Sequence, residues 1–196
     1  MSYRLRDCLI AALGLLVLLL PMGVIAVALA CTQERVLFGQ VRTGYRGRPF
    51  TMYKFSTLRD ILPHEREEDA QRYRLTPVGR WLRRFSLDEL PQLWHVLRGD
   101  MALVGPRPLI HDYLPLYSPA QLRRFEVRPG ITGWAQVRGR NSLSFTERFA
   151  LDVWYIDHRS HLLDLRILGM TAGRAFGGKG VYVDDVTTAA RFDGTN

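Results

Sequence analysis

The chain has 196 residues, which fits one domain or one domain with an appendage. Apolar residues make up 47% of it, too many for a disordered chain, and the only two cysteines, Cys8 and Cys31, lie in one apolar run, which excludes a disulfide scaffold. The net charge is +8, and 25 of the 27 basic residues are arginine. Guanidinium groups suit phosphate oxygens, although a basic chain can also bind nucleic acid or an anionic membrane surface.

An uncharged apolar segment covers residues 8–33. As one helix it would be about 39 Å long, enough to cross a hydrocarbon core of about 30 Å. Two features instead favour a re-entrant helix that enters and leaves the membrane by the same face. Pro21, near the centre, removes a backbone hydrogen bond and predicts a break there. Arginines flank both ends, which places both ends on the cytoplasmic side.

A single spanning helix and a signal peptide are the alternatives for this segment. Ala28-Leu29-Ala30 has the small-residue pattern of a cleavage site, but the apolar run is longer than the roughly 7–15 residues of a signal-peptide core. We therefore divide the chain into a re-entrant membrane helix over residues 1–33 and a globular domain over residues 34–196.

The first half of the globular domain combines strands with helix. Residues 36–38 and 50–55 flank a glycine-containing loop, which predicts a hairpin. The highly polar residues 59–75 predict an exposed helix or loop. Apolar residues at helical spacing over residues 78–98 predict a helix there.

The second half is mostly helical. Ser118 and Pro119 start a short helix, residues 128–141 are a glycine-rich basic stretch, and residues 143–157 and 160–176 predict two further helices. The last helix has apolar residues with arginines between them, which suits either the membrane interface or the core. The predicted fold is a helix-rich α+β single compact domain, with the re-entrant helix and interfacial amphipathic helices.

The first of three polar clusters runs from Ser86 to Pro91. Ser86 and Glu89 have capping-box spacing, whereas Pro91 is better tolerated if the helix begins later with Asp88 as its N-cap. Either arrangement explains the segment as a helix start alone. A functional interpretation is that the carboxylates mark the positive end of a helix, where a phosphate can dock, and that Asp88 and Glu89 bind Mg²⁺.

The second cluster is Gly105-Pro106-Arg107-Pro108. The two prolines stiffen the backbone on either side of Arg107. The segment is either a rigid turn with a solvated arginine or a preorganised contact for a phosphate group.

The third cluster extends from Arg128 to Arg140 and places Arg138 close to Trp134 in the sequence. It is either a basic surface loop or a pocket for a phosphate and a base. Correspondingly, Trp134 either packs in the core or stacks on a ligand ring.

The sequence motifs of several enzyme classes are absent from this chain. There is no GxxxxGK[ST], no GxGxxG after a strand, no GxSxG, no HExxH and no D-x-D pair, and the five histidines are scattered. Two alternatives to an enzyme that uses Asp88 stay open. One is a nucleotide-sugar glycosyltransferase of another class, which releases UDP, and the other is a non-enzymatic, membrane-anchored module that binds anions.

The combination of motifs resembles the small monotopic phosphoglycosyl transferases, the bacterial sugar transferases that start glycan assembly on polyprenol phosphate. The resemblance extends from the apolar run to Asn196. It rests on five segments in the same order as in the family: Tyr53-Lys54-Phe55, residues 86–93, Gly99-Asp100-Met101, residues 104–108 and residues 128–137.

The resemblance implies that Asp88 and Glu89 are the catalytic dyad and bind the Mg²⁺ that the family needs. Asp88 would attack the β-phosphate of a UDP-sugar and release UMP. Polyprenol phosphate would then take the phosphosugar from the covalent aspartyl intermediate, giving polyprenol diphosphate sugar. The family's helix break would fall on Pro21.

The resemblance also implies a setting and a set of basic residues. The enzyme would act at the cytoplasmic face of the bacterial plasma membrane, with a UDP-sugar, polyprenol phosphate and the bilayer as partners and no nucleic acid. Ser56 and Arg138 depart from the family pattern, which often has a basic residue and Asn there, and both can alter sugar preference or phosphate contacts. The residues expected to bind substrate phosphate are Arg107, Arg140, Arg128, Arg138, Lys54 and Arg83.

Overall fold

The structure is a computed structural model that describes residues 2–32, 35–59, 74–139, 142–177 and 192–194. The helices are α1 (Tyr3–Thr32), α2 (Pro77–Arg84), α3 (Gln92–Arg98), α4 (Pro119–Leu122), α5 (Trp134–Arg138), α6 (Phe145–His158) and α7 (His161–Gly177). The strands are β1 (Leu37–Thr43), β2 (Pro49–Phe55), β3 (Ala102–Val104) and β4 (Gly130–Thr132). Short 3₁₀ turns cover Tyr45–Gly47, Leu87–Glu89, His111–Leu116 and Arg123–Phe125. The predicted helix-rich α+β fold is confirmed.

Helix α1 is long and apolar enough to cross a membrane by length and composition. Helical structure continues on both sides of Pro21, which lies inside α1, and the predicted break of the helix at that residue stays a prediction. A proline removes one backbone hydrogen bond, and the turns on either side can remain helical when their own bonds are intact. The re-entrant placement itself stays a prediction.

Both ends of α1 pack against the globular part of the chain. Near its start, Arg4 donates to the carbonyl oxygens of Val96 and Leu97 at the end of α3. Near its end, Ile25 and Leu29 are buried in a cluster with residues of β2 and α2. Between these contacts Ala11 is buried, but many apolar side chains are exposed: Leu13, Leu16, Val17, Leu19, Leu20 and Val24, each by 63% or more.

The predicted hairpin is confirmed. Strands β1 and β2 pair antiparallel, from Leu37 opposite Phe55 to Thr43 opposite Pro49. The turn between them contains Arg46 and Gly47 in the left-handed region, with φ of 55° and 74°. Only glycine adopts this conformation at no steric cost, which explains the glycine in the loop.

The expected helix over residues 78–98 is divided into α2 and α3 by the 3₁₀ turn. Thr76 caps α2, because its hydroxyl accepts from the Gly79 N–H at 2.9 Å. Pro91 is the N-cap of α3, and it cannot lie further inside a helix without breaking a hydrogen bond. Two large side chains of this region, Trp81 and Trp94, are more than half exposed.

Strands β3 and β4 form a short parallel pair that fixes the second cluster to the third. The Gly105 N–H donates to Thr132 O at 2.9 Å, and the Gly130 N–H donates to Pro106 O at 3.0 Å. A β-carbon on Gly105 would clash with the carbonyl oxygen of Arg128, so the close approach of these backbones requires glycine. The loop that carries Arg107 is thereby anchored at its base.

The last two helices are confirmed as α6 and α7. Ser144 and Glu147 form a capping box at the start of α6. Residues 128–141, described from the sequence as a glycine-rich basic stretch, contain β4 and α5. On α7, Leu162 and Leu165 are 79% and 56% exposed, but a place at the membrane interface stays a prediction.

Candidate active site

The Asp88–Glu89 pair lies on the 3₁₀ turn between α2 and α3. Ser86 precedes the turn in the left-handed region, with φ of 56°, which a residue with a β-carbon rarely adopts. Its hydroxyl makes no capping hydrogen bond, and α3 begins only at Gln92. Both helix-start interpretations of this cluster are therefore wrong: the carboxylates lie on a separate, strained turn, which fits a functional position.

The two carboxylates of the pair have different surroundings. Asp88 is buried, with 7% of its surface exposed. Within the part of the chain that the structure describes, its carboxylate accepts no hydrogen bond. Glu89 accepts from Arg107, with 2.8 Å between Nη2 and Oε1. One carboxylate is therefore available to react, while the other orients a guanidinium.

Three of the predicted basic residues surround Asp88. They come from separate elements: Lys54 from β2, Arg83 from α2 and Arg107 from the loop after β3. The Arg83 Nε–H donates to Thr57 Oγ1 at 2.9 Å, which holds its guanidinium toward the turn. Burial lowers the pKa values of Lys54 and Arg83, and the negative charge of Asp88 opposes this effect in both. All three cations interact electrostatically with Asp88, and their binding of substrate phosphate stays a prediction.

The pKa of Asp88 is raised. Burial is the main cause, and the neighbouring charge of Glu89 adds to it. The positive charges of Lys54, Arg83 and Arg107 act in the opposite direction. A buried carboxylate beside several cations is the environment expected of a reactive group.

The position of Arg107 depends on a buried arginine that the sequence did not single out. Arg124 is 2% exposed and donates to the carbonyl oxygen of Arg107 at 2.8 Å. It also forms an ion pair with Asp152 at 2.7 Å. The Arg107 side chain itself is 42% exposed, so its guanidinium remains accessible to a ligand. The basic sequence around Arg124 gives no signal that separates it from surface arginines.

Strand β2 is held in register with α3 by a buried histidine. The Tyr53 N–H donates to His95 Nε2 at 3.0 Å, and His95 Nδ1 lies 3.1 Å from Asp100 Oδ2. Because Lys54 follows Tyr53, these contacts fix the strand that carries the lysine. Scattered histidines in the sequence could not reveal this role.

The arginines of the third cluster have other partners. Arg128 donates from Nε to Gly99 O at 2.8 Å and lies over the Tyr45 ring. Arg138 lies 4.2 Å from the centre of the Trp134 ring. Trp134 is 5% exposed and belongs to the core, which settles the two interpretations of this side chain. Arg140 lies outside the described residues, and phosphate binding by these three arginines stays a prediction.

The donor set of the turn fits Mg²⁺ bound together with a phosphorylated ligand. Mg²⁺ is commonly held by one or two carboxylates plus substrate phosphates. Asp88 and Glu89 supply two adjacent carboxylates, and the described residues contain no cluster of three or more acidic, histidine or cysteine side chains that would form a complete protein site. A metal held by this pair would complete its coordination with water and with phosphate oxygens of the substrate.

Comparisons with known proteins agree on one family. The model of the bacterial sugar transferase family matches residues 1–178. The uncharacterized sugar transferase EpsL of Bacillus subtilis is 51% identical over 160 residues, 82% of this chain and 79% of the relative. The exopolysaccharide production protein ExoY of Rhizobium meliloti is 37% identical over 201 residues, 93% of this chain and 88% of the relative.

A third relative is a larger protein. The undecaprenyl-phosphate galactose phosphotransferase of Salmonella typhimurium is 37% identical over 163 residues, which are 74% of this chain and 34% of the relative. The matched region therefore spans about a third of that protein.

Proposed function

The chain belongs to the bacterial sugar transferase family, and we propose that it is a phosphoglycosyl transferase that moves a phosphosugar from a UDP-sugar to polyprenol phosphate. The observation that carries this proposal is the buried Asp88, unpaired by any hydrogen bond in the described part of the chain and surrounded by Lys54, Arg83 and Arg107. The name of the Salmonella relative supports the lipid-phosphate acceptor.

In the first step, a carboxylate oxygen of Asp88 forms a bond to the β-phosphorus of the UDP-sugar. The bond from that phosphorus to the bridging oxygen breaks, and UMP leaves with the electron pair. The product on the protein is an aspartyl phosphosugar. Lys54, Arg83 and Arg107 stabilise the negative charge on the phosphate during this exchange.

In the second step, a phosphate oxygen of polyprenol phosphate attacks the same phosphorus. The Asp88 oxygen leaves as a carboxylate, and polyprenol diphosphate sugar is released. The cations that offset the raised pKa of Asp88 also favour the charged carboxylate as a leaving group. Glu89 keeps the Arg107 guanidinium at the turn throughout.

Asp88 and Glu89 are the residues that would hold Mg²⁺, with substrate phosphate completing the coordination. Bound there, Mg²⁺ would neutralise charge on the diphosphate. Arg107 would contact the diphosphate with a guanidinium that Glu89 holds, on a backbone that Arg124 holds.

We also propose that α1 enters the bilayer without crossing it and that the active site lies at the cytoplasmic face. Contacts of Arg4 and Leu29 with the globular part support this placement, because both ends of the helix then lie on the same side. The exposed apolar middle of α1 would face lipid. This arrangement brings the dyad to the membrane surface, where the phosphate of the lipid acceptor lies.

The membrane placement is tested by cysteine labelling. In a Cys8→Ser, Cys31→Ser background, single cysteines replacing Ser2 or Ser142 are exposed to a membrane-impermeant maleimide. Both are expected to react in inverted membrane vesicles and to be protected in intact cells. Labelling of Ser2→Cys only from outside the cell would contradict the placement and indicate a spanning helix.

The reaction is tested by identifying the nucleotide released. Protein in detergent is mixed with Mg²⁺, polyprenol phosphate and a panel of UDP-sugars. UMP is expected from wild type and from Asp157→Asn, a control that removes an exposed carboxylate on α6, but not from Asp88→Asn. Release of UDP would identify an ordinary glycosyltransferase, and an absence of either nucleotide with every donor would favour an anion-binding module.

A further inference from the structure

Arg42, on β1, is a further basic residue near the dyad. In the sequence it is only one of the arginines that follow the apolar segment. Its backbone pairs with Phe50 of the hairpin and forms a bridge with Ile110, just beyond the loop that carries Arg107. The hairpin and the loop therefore bring Arg42 close to Arg107 and Glu89.

The hydrogen bonds of the Arg42 side chain are incomplete. Nη2 donates to Gln40 Oε1 at 2.5 Å, while Nη1 lies 3.5 Å from Pro108 O, at the limit of a hydrogen bond. Nε is buried and has no partner among the residues that the structure describes. A buried N–H without a partner is costly, which indicates that an acceptor is missing from this place.

The electrostatic surroundings point to a negatively charged acceptor. Arg107 is a like charge close to Arg42, and the nearby negative charge of Glu89 is already paired with Arg107. Burial, with a smaller contribution from Arg107, lowers the pKa of Arg42 to about 10. The guanidinium stays charged at neutral pH, so it retains a positive charge that the dyad does not neutralise.

We propose that Arg42 binds a phosphate of the UDP-sugar and forms, with Arg107, a two-arginine clamp for the diphosphate. The assignment rests on the proposed function, because it takes the diphosphate as the ligand. An arginine presents its N–H groups in a planar fork that matches two phosphate oxygens. Gln40 accepts from one N–H of Nη2, and the Nε–H of the same guanidinium is left to donate to the ligand.

A purely structural role for the side chain is less consistent with these contacts. The backbone of Arg42 already links the hairpin to Ile110, so the guanidinium is not needed for that link. Its contact with the Pro108 carbonyl is too long to hold the loop firmly.

The test measures binding of UDP, which contains the diphosphate and cannot transfer a sugar. Wild type, Arg42→Gln, Arg42→Lys and Arg48→Gln are compared by calorimetry in detergent with Mg²⁺. Arg48 is an exposed arginine of the same hairpin and serves as the matched control. Loss of a charge-assisted hydrogen bond predicts a Kd about 10- to 100-fold higher for Arg42→Gln. Arg42→Lys keeps the charge but loses the fork, so an intermediate Kd is expected, and Arg48→Gln should bind like wild type.

Kinetics and rescue separate ligand binding from folding. Arg42→Gln is expected to release UMP with a raised KM for the UDP-sugar, and free guanidinium ion should partly restore kcat/KM in Arg42→Ala. Two results would overturn the proposed role of Arg42. One is an unchanged UDP affinity in Arg42→Gln. The other is a loss of UDP affinity that is just as large in Arg42→Lys, together with a loss of kcat/KM in Arg42→Ala that guanidinium does not reverse.

The outcome for Arg42 is distinguishable from the outcome for the proposed function. If wild type releases UDP instead of UMP while UDP affinity still depends on Arg42, the transfer reaction is wrong and the phosphate clamp stands. If wild type releases UMP and Arg42→Gln binds UDP normally, the reaction stands and the clamp is wrong. A wild type that neither binds UDP nor releases UMP contradicts both.

Discussion

Two buried charge clusters in this protein differ in how completely their charges are paired. Where α1 meets α7, Arg6 pairs with Asp7 at 2.7 Å and with Asp164 at 2.6 Å. The remaining oxygens accept from the Leu103 N–H and from the Tyr155 hydroxyl. Every carboxylate oxygen of this network therefore has a donor, and the network needs no ligand.

The dyad cluster is paired only in part. Asp88 accepts no hydrogen bond within the described residues, and Arg42 Nε has no acceptor among them. Lys54, Arg83, Arg107 and Arg42 bring four positive charges against two carboxylates. A buried cluster that remains unsatisfied costs stability unless a ligand completes it. The first network holds the helix in place, whereas the second cluster has the unpaired positive charge that the proposed phosphorylated substrate would complete.

The largest difference between the clusters is expected in catalysis. Asp88→Asn removes the proposed nucleophile and should lower the rate of UMP release by at least about 10⁴-fold, as removal of a nucleophile does in other enzymes. Asp157→Asn, which changes an exposed carboxylate, should keep the wild-type rate. Substantial UMP release by Asp88→Asn would show that another group attacks the phosphate.

The α1–α7 network should dominate stability instead. Arg6→Met leaves Asp7 and Asp164 buried without their cation, and loss of one partner from a buried ion pair costs about 3–5 kcal/mol. Arg98→Met removes an exposed arginine paired with Asp100 and should cost less than about 1 kcal/mol. Denaturant unfolding in detergent measures the free energy of unfolding of both variants. Equal losses would mean that the Arg6 network does not stabilise the fold more than the exposed Arg98–Asp100 pair does.

A smaller effect is expected when the shape of a cation changes but its charge does not. Arg107→Lys keeps the positive charge beside Glu89 but loses the guanidinium fork. We expect kcat/KM for the UDP-sugar to fall about 10- to 100-fold. Steady-state kinetics check this value, and full activity in Arg107→Lys would indicate that only the charge matters at this position.

The smallest effect is expected in the melting temperature, through the raised pKa of Asp88. The folded state raises this pKa above its unfolded value, so the ionised carboxylate costs stability at neutral pH. Asp88→Asn should therefore melt at a slightly higher temperature, by about 2–4 °C, the shift that 1 kcal/mol gives in a chain of this size. With EDTA present, this gain should disappear as the pH falls below about 3.9, the pKa of unfolded aspartate. If Asp88→Asn melts at a lower temperature than wild type at pH 7, the expected direction of the change in melting temperature is wrong.

The sequence predicted the local elements better than the charge pairing between them. Residues 36–55 predicted the hairpin and Ser118 the start of a short helix, because turn residues and caps act over a few positions. The helix over residues 78–98 was divided because the turn at Leu87–Glu89 depends on contacts with β2 and α2 as well as on local preference.

The site was predictable only through its motifs. The motifs identified Asp88, Glu89 and Arg107, and the structure places them together. Arg42 and Arg124 could not be recognised, since their partners lie far along the chain and isolated arginines look alike in sequence. The effect of Pro21 stays a prediction, because helical structure on both sides of a proline does not fix the direction of the helix axis.

Intact mass spectrometry would show whether Asp88 carries the phosphosugar during the reaction. Wild type is incubated with Mg²⁺ and the UDP-sugar that gives UMP, but without polyprenol phosphate, and is then denatured. We expect a mass increase equal to one sugar phosphate, located at Asp88 by peptide mapping, and its loss when polyprenol phosphate is added before denaturation. Nucleotide release that needs the acceptor and leaves the protein mass unchanged would contradict this role of Asp88.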